Sequence, residues 1–577
     1  MADALHFDFA IVGGGSAGCV LARRLSEGGR FRVILIEAGR DTPPDQVEPA
    51  ILDSYPRIAY FSARNVWPDL RVHLQPVPHN HPGKAVPRRY EQARLMGGGS
   101  SLNDMQANRG VPDDYDDWAR TGADGWDWAG VLPYFRKAER DLDFGGSLHG
   151  ETGPIPIRRI YPHAWPEFSR AANSAWSELG FRPLQDQNGE FEDGFFPVAI
   201  SNIYDRRVST AIGYLDNATR QRPNLKILAN ATVQRLIVEG GHVTGVEART
   251  AEGPLVIRAR ETIVSAGALH SPAMLMRAGI GPGDMLRRLG IPVVAARRGV
   301  GQNLQEHPTI SISSQVKPHA RLGTKLRRHI HTALRWSSSV PGCTKHDMYM
   351  VAMAKSGWHP VGQQVGSLMT WVNRAYSRGF VSLANPSPDA EPHVEFALLS
   401  DDRDVRRLME GMRLIARLYE TPAMQAVAND PFPTSYTERI RDLGVVSAKN
   451  YVMTRILATA LDGPDWLRRQ LLKHVVTDDA PLERMMADDD LLEAFVREKA
   501  HGVWHASGTC RMGRVSDEDA VVGPSGRVIG VTGLRVVDAS VMPFTPRANT
   551  NLPTIMIAER MSTLILDEAL EGPRAGW

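Results

Sequence analysis

The stretch from Phe7 to Glu37 constrains the fold more than any other part of the chain. Ala10, Ile11 and Val12 make a short apolar run with the pattern of a buried strand. Gly13, Gly15 and Gly18 then spell G-x-G-x-x-G, and Cys19 to Leu25 continue with an apolar helical face. A second apolar run, Arg32 to Ile36, ends on Glu37, about twenty residues beyond the last glycine, where a carboxylate can hold a ribose hydroxyl. Gly13 suits a tight turn, Gly15 lets backbone approach a pyrophosphate, and Gly18 lets helix pack on strand. Unpaired N–H groups at the helix start, aided by the helix dipole, favour a phosphate there. Strand, turn, helix and acid together indicate a dinucleotide-binding unit; NAD and FAD both fit this pattern.

With 577 residues the chain exceeds one simple core, so two domains are expected. A net charge of +2 gives no footing for a polyanionic partner, and nucleic acid is not expected. The aromatic segment from Asp113 to Glu139 (Trp118, Trp126, Trp128, Tyr134, Phe135) is also acidic, which favours packed helices over base stacking. Three cysteines, Cys19, Cys343 and Cys510, make no disulfide framework and show no metal-ligand spacing, so no metal is expected. The first strand begins within a few residues of Met1 with no leader pattern, and no apolar run reaches the roughly 18 residues of a membrane span. A cytoplasmic protein is the expectation.

Pro- and polar-rich sequence follows Glu37, and residues 61–83 read as loop or extended chain. A second glycine cluster, Gly97-Gly98-Gly99 before Ser100 to Asn103, has the look of a helix start. Close approach of backbone to a ligand explains three glycines better than a simple turn. Short β-rich runs occupy 222–264, with Leu255–Ala259 and Glu261–Ser265 as separate strands, and a helix is expected from Ser271 to Ala278. Beyond 310 lie strand-like runs at 311–316, 348–353, 368–372, 380–384 and 393–399, then a helix at 403–419 and a helical region at 440–500. The basic stretch Lys317–Arg335 reads as a solvated helix face, or as a surface steering an anionic substrate. Leu534–Asp538 and Pro553–Leu566 return to strand and helix. The expected architecture is an α/β, Rossmann-like domain in pieces (1–158, 205–309, 502–577) and an α+β domain on a largely antiparallel sheet (159–204, 310–501).

Two C-terminal stretches carry chemistry. In His501-Gly-Val-Trp-His505-Ala-Ser-Gly-Thr509 an imidazole sits among small residues, and in Pro546-Arg-Ala-Asn549-Thr-Asn551-Leu-Pro two asparagines precede a helix. Taken alone, a histidine such as His505 is more often structural, and Asn549/Asn551 can likewise be no more than a helix cap.

These stretches, the fingerprint, the Gly97 cluster, Gly267-Ala-Leu-His-Ser-Pro272 with Ala278-Gly-Ile-Gly281, and Gly299-Val-Gly-Gln-Asn-Leu-Gln-Glu-His-Pro308 resemble the glucose–methanol–choline (GMC) oxidoreductase family, in its order and over essentially the whole chain. The closest likeness is to its bacterial furfural-oxidising members, through Arg109–Tyr115, Gly122–Trp128, Gly502–Thr509 and Ala548–Thr554. The resemblance implies FAD. Gly13, Gly15, Ser16, Ala17 and Gly18 would hold its pyrophosphate, and Glu37 with Ala38 its adenosine ribose. Val233 would reach the adenine edge. Trp67 and the Gly97–Asn103 loop, Gly98 and Asn103 included, would lie near the flavin with Trp504, and Asp538, Ala539 and Thr550 would close the site. Leu102 stands where some members carry the histidine that links flavin, so FAD is expected to be non-covalent. Met96 and Ala278 depart from the usual residues in packing only.

By the same resemblance His505 and Asn549 form the catalytic pair. An imidazole suits removal of a hydroxyl proton near neutral pH, and an amide suits orientation of the substrate oxygen. Met369 and Trp371, on one face of a strand, with Val503, would line an apolar pocket for a primary alcohol on a flat ring. Asp104, placed on the helix expected after the glycine loop, reads as a polar pocket contact or as a solvated or capping carboxylate. Oxygen is the expected acceptor, giving hydrogen peroxide. The alternatives are a dehydrogenase using a quinone or dye, a lyase on the same scaffold, a pyridoxine- or choline-type oxidase, an NAD-dependent enzyme, and a non-catalytic flavin protein. The oligomeric state is open.

Overall fold

A computed structural model describes residues 5–78, 85–436, 438–477 and 479–571. Of the loop expected at 61–83, residues 79–83 lie outside this description.

The opening strand, Leu5–Val12, is the centre of a mixed sheet. Phe7 and Phe9 to Val12 are buried, as expected for a strand covered on both faces. It pairs in parallel with Val33–Ile36 on one side and Gly253–Val264 on the other, and Leu225–Leu228 continues the sheet beyond Val33–Ile36. The strand Gly253–Val264 makes the sheet mixed. Its first half pairs antiparallel with His242–Thr250, and its end pairs in parallel with Leu534–Val536 from the far end of the chain. The two runs read separately at 255–259 and 261–265 are therefore one strand. Helix Gly267–Arg277 follows it, and Asn551–Glu571, the last helix, packs on Ser16–Leu25.

The second sheet is antiparallel throughout. Its order is Ala428–Pro433, Pro308–Val316, Val365–Val372, Met348–Met353, Ile330–Trp336 and Gly194–Pro197. The helix Asp402–Glu420 packs on it, close enough that a Cβ on Gly411 would sit 2.7 Å from Thr370 Cγ2. His501–Gly502 adds a short pairing to Pro308–Thr309. No helix among the described residues is long and apolar enough to cross a membrane.

Two further expectations fail. The basic stretch is no solvated helix face, because Ile330–Trp336 is a strand with every residue buried, and Arg328, His329, His331 and Arg335 are buried with it. The guanidinium groups of Arg328 and Arg335 meet backbone carbonyls instead of water, while exposed Arg327, earlier in the stretch, pairs with Asp53. Arg328 donates to the carbonyls of Ile330 and Asp104, and Arg335 to those of Gln187, Glu190 and Glu192. The second glycine cluster likewise opens no α-helix. Gly97 (φ +86°) and Gly98 (φ +51°) are left-handed, and Gly98–Ser101 is one tight turn. The Ser100 and Ser101 hydroxyls donate to the carbonyls of Gly97 and Met96, competing with helical bonding.

The buried strand makes a clear prediction. Replacing Arg335 by Ala strands three carbonyls and should lower stability by about 3 kcal/mol. A solvated position would change it by under about 0.5 kcal/mol. Urea unfolding of holoenzyme distinguishes the two.

Candidate active site

A cleft of about 1590 Å³ runs between the two sheets. Single small ligands need roughly 300–1,000 Å³, so this one has room for a large cofactor and a substrate together. Every residue named individually above for the cofactor, the catalytic pair or the substrate pocket lines it except Gly18; of the Gly97–Asn103 loop, Gly98, Gly99, Leu102 and Asn103 do so. Gly18 is a packing residue: a Cβ there would lie 1.9 Å from the Gly13 carbonyl oxygen, so only glycine lets the helix sit on the turn.

One end is built by backbone. Gly13 turns at φ +104°, and the helix beginning at Ser16 has no side chain capping its first N–H groups. A Cβ on Gly15 would meet nothing nearer than Gly98 Cα at 4.0 Å, and one on Gly99 nothing within 4 Å, so both faces are open to a ligand. Glu37 accepts from the Gly14 N–H and the Gly39 N–H, each at 2.7 Å, which leaves lone pairs on both oxygens for ribose hydroxyls. Burial raises its pKa, opposed by those two amides. Asp538 accepts from Gly267 N–H (2.8 Å), Ser271 Oγ (2.6 Å) and Ser540 N–H (2.8 Å), tying the returning strand to the helix Gly267–Arg277. Trp67 lies between His270 and the Arg94 guanidinium, each 4.7 Å away. Uncapped helix amides, open glycine faces and a carboxylate at the end of the second strand fit a dinucleotide such as FAD.

The other end is built by a bulge. Pro308 pairs with Gly502, and Gln305 bridges to Ser507. Glu306 and His307 on one side therefore face Val503, Trp504, His505 and Ala506 on the other. The surplus bows out, with Trp504 at φ +61°, and presents His505 to the cleft. Glu306 holds the bulge. It accepts the His505 N–H on both oxygens (2.9 Å each), the His307 N–H (2.8 Å), the Val503 N–H (3.4 Å) and the Tyr90 hydroxyl (3.3 Å). Burial pushes its pKa up to about 7, with the amides holding it from rising further.

His505 is 7% exposed, and its ring has two neighbours. Asn549 Nδ2 lies 3.1 Å from Nε2, and His307 Nδ1 lies 2.9 Å from Nδ1. With the amide donating to Nε2, the ring proton belongs on Nδ1 and is donated to His307. Burial, followed by the field of His307, holds the His505 pKa well below its ordinary value. Burial, followed by Arg374, puts that of His307 at about 3. Both rings are neutral at neutral pH. Asn549 is no helix cap: its N–H donates to Asn108 Oδ1 (2.7 Å), and its own Oδ1 is buried without a partner. Asn551 instead accepts from Ser16 Oγ at 2.8 Å, linking the two ends of the chain.

The family models described as GMC oxidoreductase match residues 7–309 and 375–558. The chain is a GMC oxidoreductase. It is 43% identical to the 5-(hydroxymethyl)furfural oxidase of Methylovorus sp. (strain MP688), across 98% of this chain and 99% of that one. It is 32% identical to the mitochondrial choline dehydrogenase of Mus musculus, across 97% and 89%. Among solved structures, pyridoxine 4-oxidase from Mesorbium loti superposes with a TM-score of 0.79 at 26% identity, across 97% and 99%. Like its family, the protein is an FAD-dependent oxidoreductase.

Glu306, His307 and Asn108 were not singled out from sequence. The first two lie inside the quoted Gly299–Pro308 motif, but only pairing with a segment far along the chain shows what they hold. Glu139, Asp141 and His149 also come together with metal-ligand potential. The two carboxylates already have cationic partners within the protein: Arg109 bonds Glu139 and Arg159 bonds Asp141. Against burial, bonds to Asp141, Asp186 and Glu139 lift the His149 pKa to about 10. Asp104 is not on a helix; it lies in coil at the cleft wall.

Gly98→Ala would place a Cβ 2.8 Å from Gly15 Cα at a left-handed position. That variant should purify with little flavin, read as the ratio of visible flavin absorption to protein.

Proposed function

We propose that this GMC oxidoreductase oxidises primary alcohols on flat aromatic or furanic rings to aldehydes, with non-covalent FAD and with oxygen as acceptor, releasing hydrogen peroxide. The observation that carries this reading is the neutral His505–Asn549 pair, 3.1 Å apart, in a cleft walled by Met369, Trp371 and Val503. Trp371 stacks on Tyr349 with ring centres 4.6 Å apart, which fixes one aromatic wall.

FAD supplies the acceptor for the hydride leaving the alcohol carbon. The protein's own residues handle the proton and the oxygen. An alcohol oxygen seated between Nε2 and the Asn549 amide gives its proton to Nε2 and accepts an N–H from Asn549, so the amide orients it as charge develops. The proton leaves His505 with N–H groups on both ring nitrogens, and Nδ1–H keeps its acceptor in His307. Asn108 holds the Asn549 backbone, and the Glu306 anchor holds that of His505, so neither partner must be ordered during the reaction. The positive charge left on His505 favours negative charge developing on oxygen nearby. Leu102 offers no nucleophile for linking flavin, in line with non-covalent binding. The HMF oxidase relative and the pyridoxine 4-oxidase neighbour act on alcohols of this general kind by name.

His505→Ala should slow anaerobic flavin reduction by about 10²–10⁴-fold with FAD still bound, and Asn549→Ala by a smaller factor. Near-normal reduction in the histidine variant would remove His505 from the role. Admitting oxygen and assaying peroxide against dye reduction separates oxidase from dehydrogenase.

The depressed His505 pKa also fixes a pH dependence. A base must be neutral to act, and one with a lowered pKa is already neutral below its ordinary value of 6.5. kcat/KM for a neutral alcohol should be flat from about pH 7 upward and fall only in more acid solution. A profile still climbing through pH ~8 would place the proton acceptor elsewhere.

A further inference from the structure

Arg94 lines the cleft with an unpartnered buried Nε but stacks over the Trp67 ring at 4.7 Å; Arg57 differs from it and from the cations around it. It lies on the short helix Arg57–Tyr60 and lines the cleft half-buried. Its Nε is buried without a partner, and among the described residues its guanidinium makes no hydrogen bond or ion pair. The surrounding cations are engaged. Arg207 donates to Ile51 O, Ser100 O and Asn103 Oδ1, and Arg328 to the carbonyls of Ile330 and Asp104. Arg327 is paired with Asp53, and Lys355 sits 4.0 Å over the Tyr55 ring. Asp104 is the carboxylate acting most on Arg57, but it also acts on Arg328 and Arg207.

The position is tied to the reaction centre. Tyr60, on the same helical turn, sets its ring edge-on to Trp504 at 5.2 Å, and Trp504 adjoins His505 in the bulge. Tyr436 and His501 line the cleft and lie in the field of Arg57. The buried Nε of Arg57 lacks a partner, and the planar fork of a guanidinium matches a carboxylate in two-point contact.

We propose that Arg57 is a carboxylate-binding, specificity-determining residue, which selects alcohols carrying an anionic carboxylate on the part of the ring away from the reacting CH–OH. This rests on the alcohol-oxidising reading above and names its substrate class more narrowly. It also accounts for a cation that lines the cleft without a hydrogen-bonded partner among the described residues, and it disfavours quaternary ammonium substrates, which Arg57 repels.

The test compares 4-(hydroxymethyl)benzoate with 4-methylbenzyl alcohol, which differ in charge more than in shape. In holoenzyme the carboxylate substrate should reduce the flavin with the higher kcat/KM. Arg57→Gln should lower the ratio of the two kcat/KM values by about 10–100-fold, chiefly through KM of the carboxylate substrate, and Arg57→Lys should keep part of the preference. The inert anion 4-methylbenzoate, titrated against the visible spectrum of oxidised holoenzyme, should lose affinity by a similar factor in Arg57→Gln. Flavin content per protein establishes that each variant is folded. A ratio and a Kd unchanged by both substitutions overturn the proposal. If neither alcohol reduces the flavin while 4-methylbenzoate still binds through Arg57, the alcohol-oxidising reading fails and the anion site stands.

Discussion

The contact on which the rest of the molecule depends is glycine against glycine. The turn at Gly13–Gly15 and the turn at Gly97–Gly99 meet back to back, with the Gly97 N–H donating to the Gly14 carbonyl at 2.7 Å. No side chain fits between Gly98 and Gly15. Two backbone segments distant in sequence thus form one continuous polar wall, rich in N–H groups and free of side chains, as a pyrophosphate requires. Further chain fixes that wall from outside. Ser16 bonds Asn551, Arg24 pairs with buried Glu559, and Asp538 caps the helix after the long strand. The C-terminal segment therefore completes a wall that the N-terminal segment begins, and the sheet must close before the cleft exists.

The opposite wall solves a different problem, presenting one ring nitrogen at a fixed place. A regular antiparallel pair would point alternate side chains to either face and leave no freedom in placement. The surplus at Val503–Ala506 provides it. Its cost includes a left-handed tryptophan, of order 1–3 kcal/mol. The Glu306 carboxylate offsets that cost by accepting three backbone N–H groups across the bulge. Since one carboxyl group holds both His307 and His505 by their backbones, the two rings are set against each other without any side chain between them.

What the sequence made legible follows the range of the interactions. The fingerprint, the buried strands and the helix at 402–420 are local patterns, and they lie close to where their residues place them. His505 and Asn549 were legible through ordered motifs, since each alone admits a structural reading. The failures are long-range. Arg328 and Arg335 look like surface residues because charge usually means water, yet carbonyls from 104 and 187–192 solvate them. Glycines at 97 and 98 resemble a helix start until their left-handed angles are known. Glu306 cannot be understood without the bulge it holds, and Arg57 gives no local sign that it lacks a partner.

The electrostatics of the cleft divide the labour in one direction. Burial keeps His505 and His307 neutral, so the reaction centre starts with a proton acceptor and no net charge on the pair. A cationic substrate would have to compete there with Arg57, and would make the later protonation of His505 less favourable by like-charge repulsion. A neutral or anionic ring alcohol meets neither cost. The same burial that depresses the histidine also strengthens its hydrogen bond to Asn549, because a low local dielectric magnifies each polar contact. The orphaned Asn549 Oδ1 belongs to this arrangement. An acceptor left open beside the base has room for a donor beyond the proton that His505 takes, and the second hydroxyl of a hydrated aldehyde is a group of the right kind.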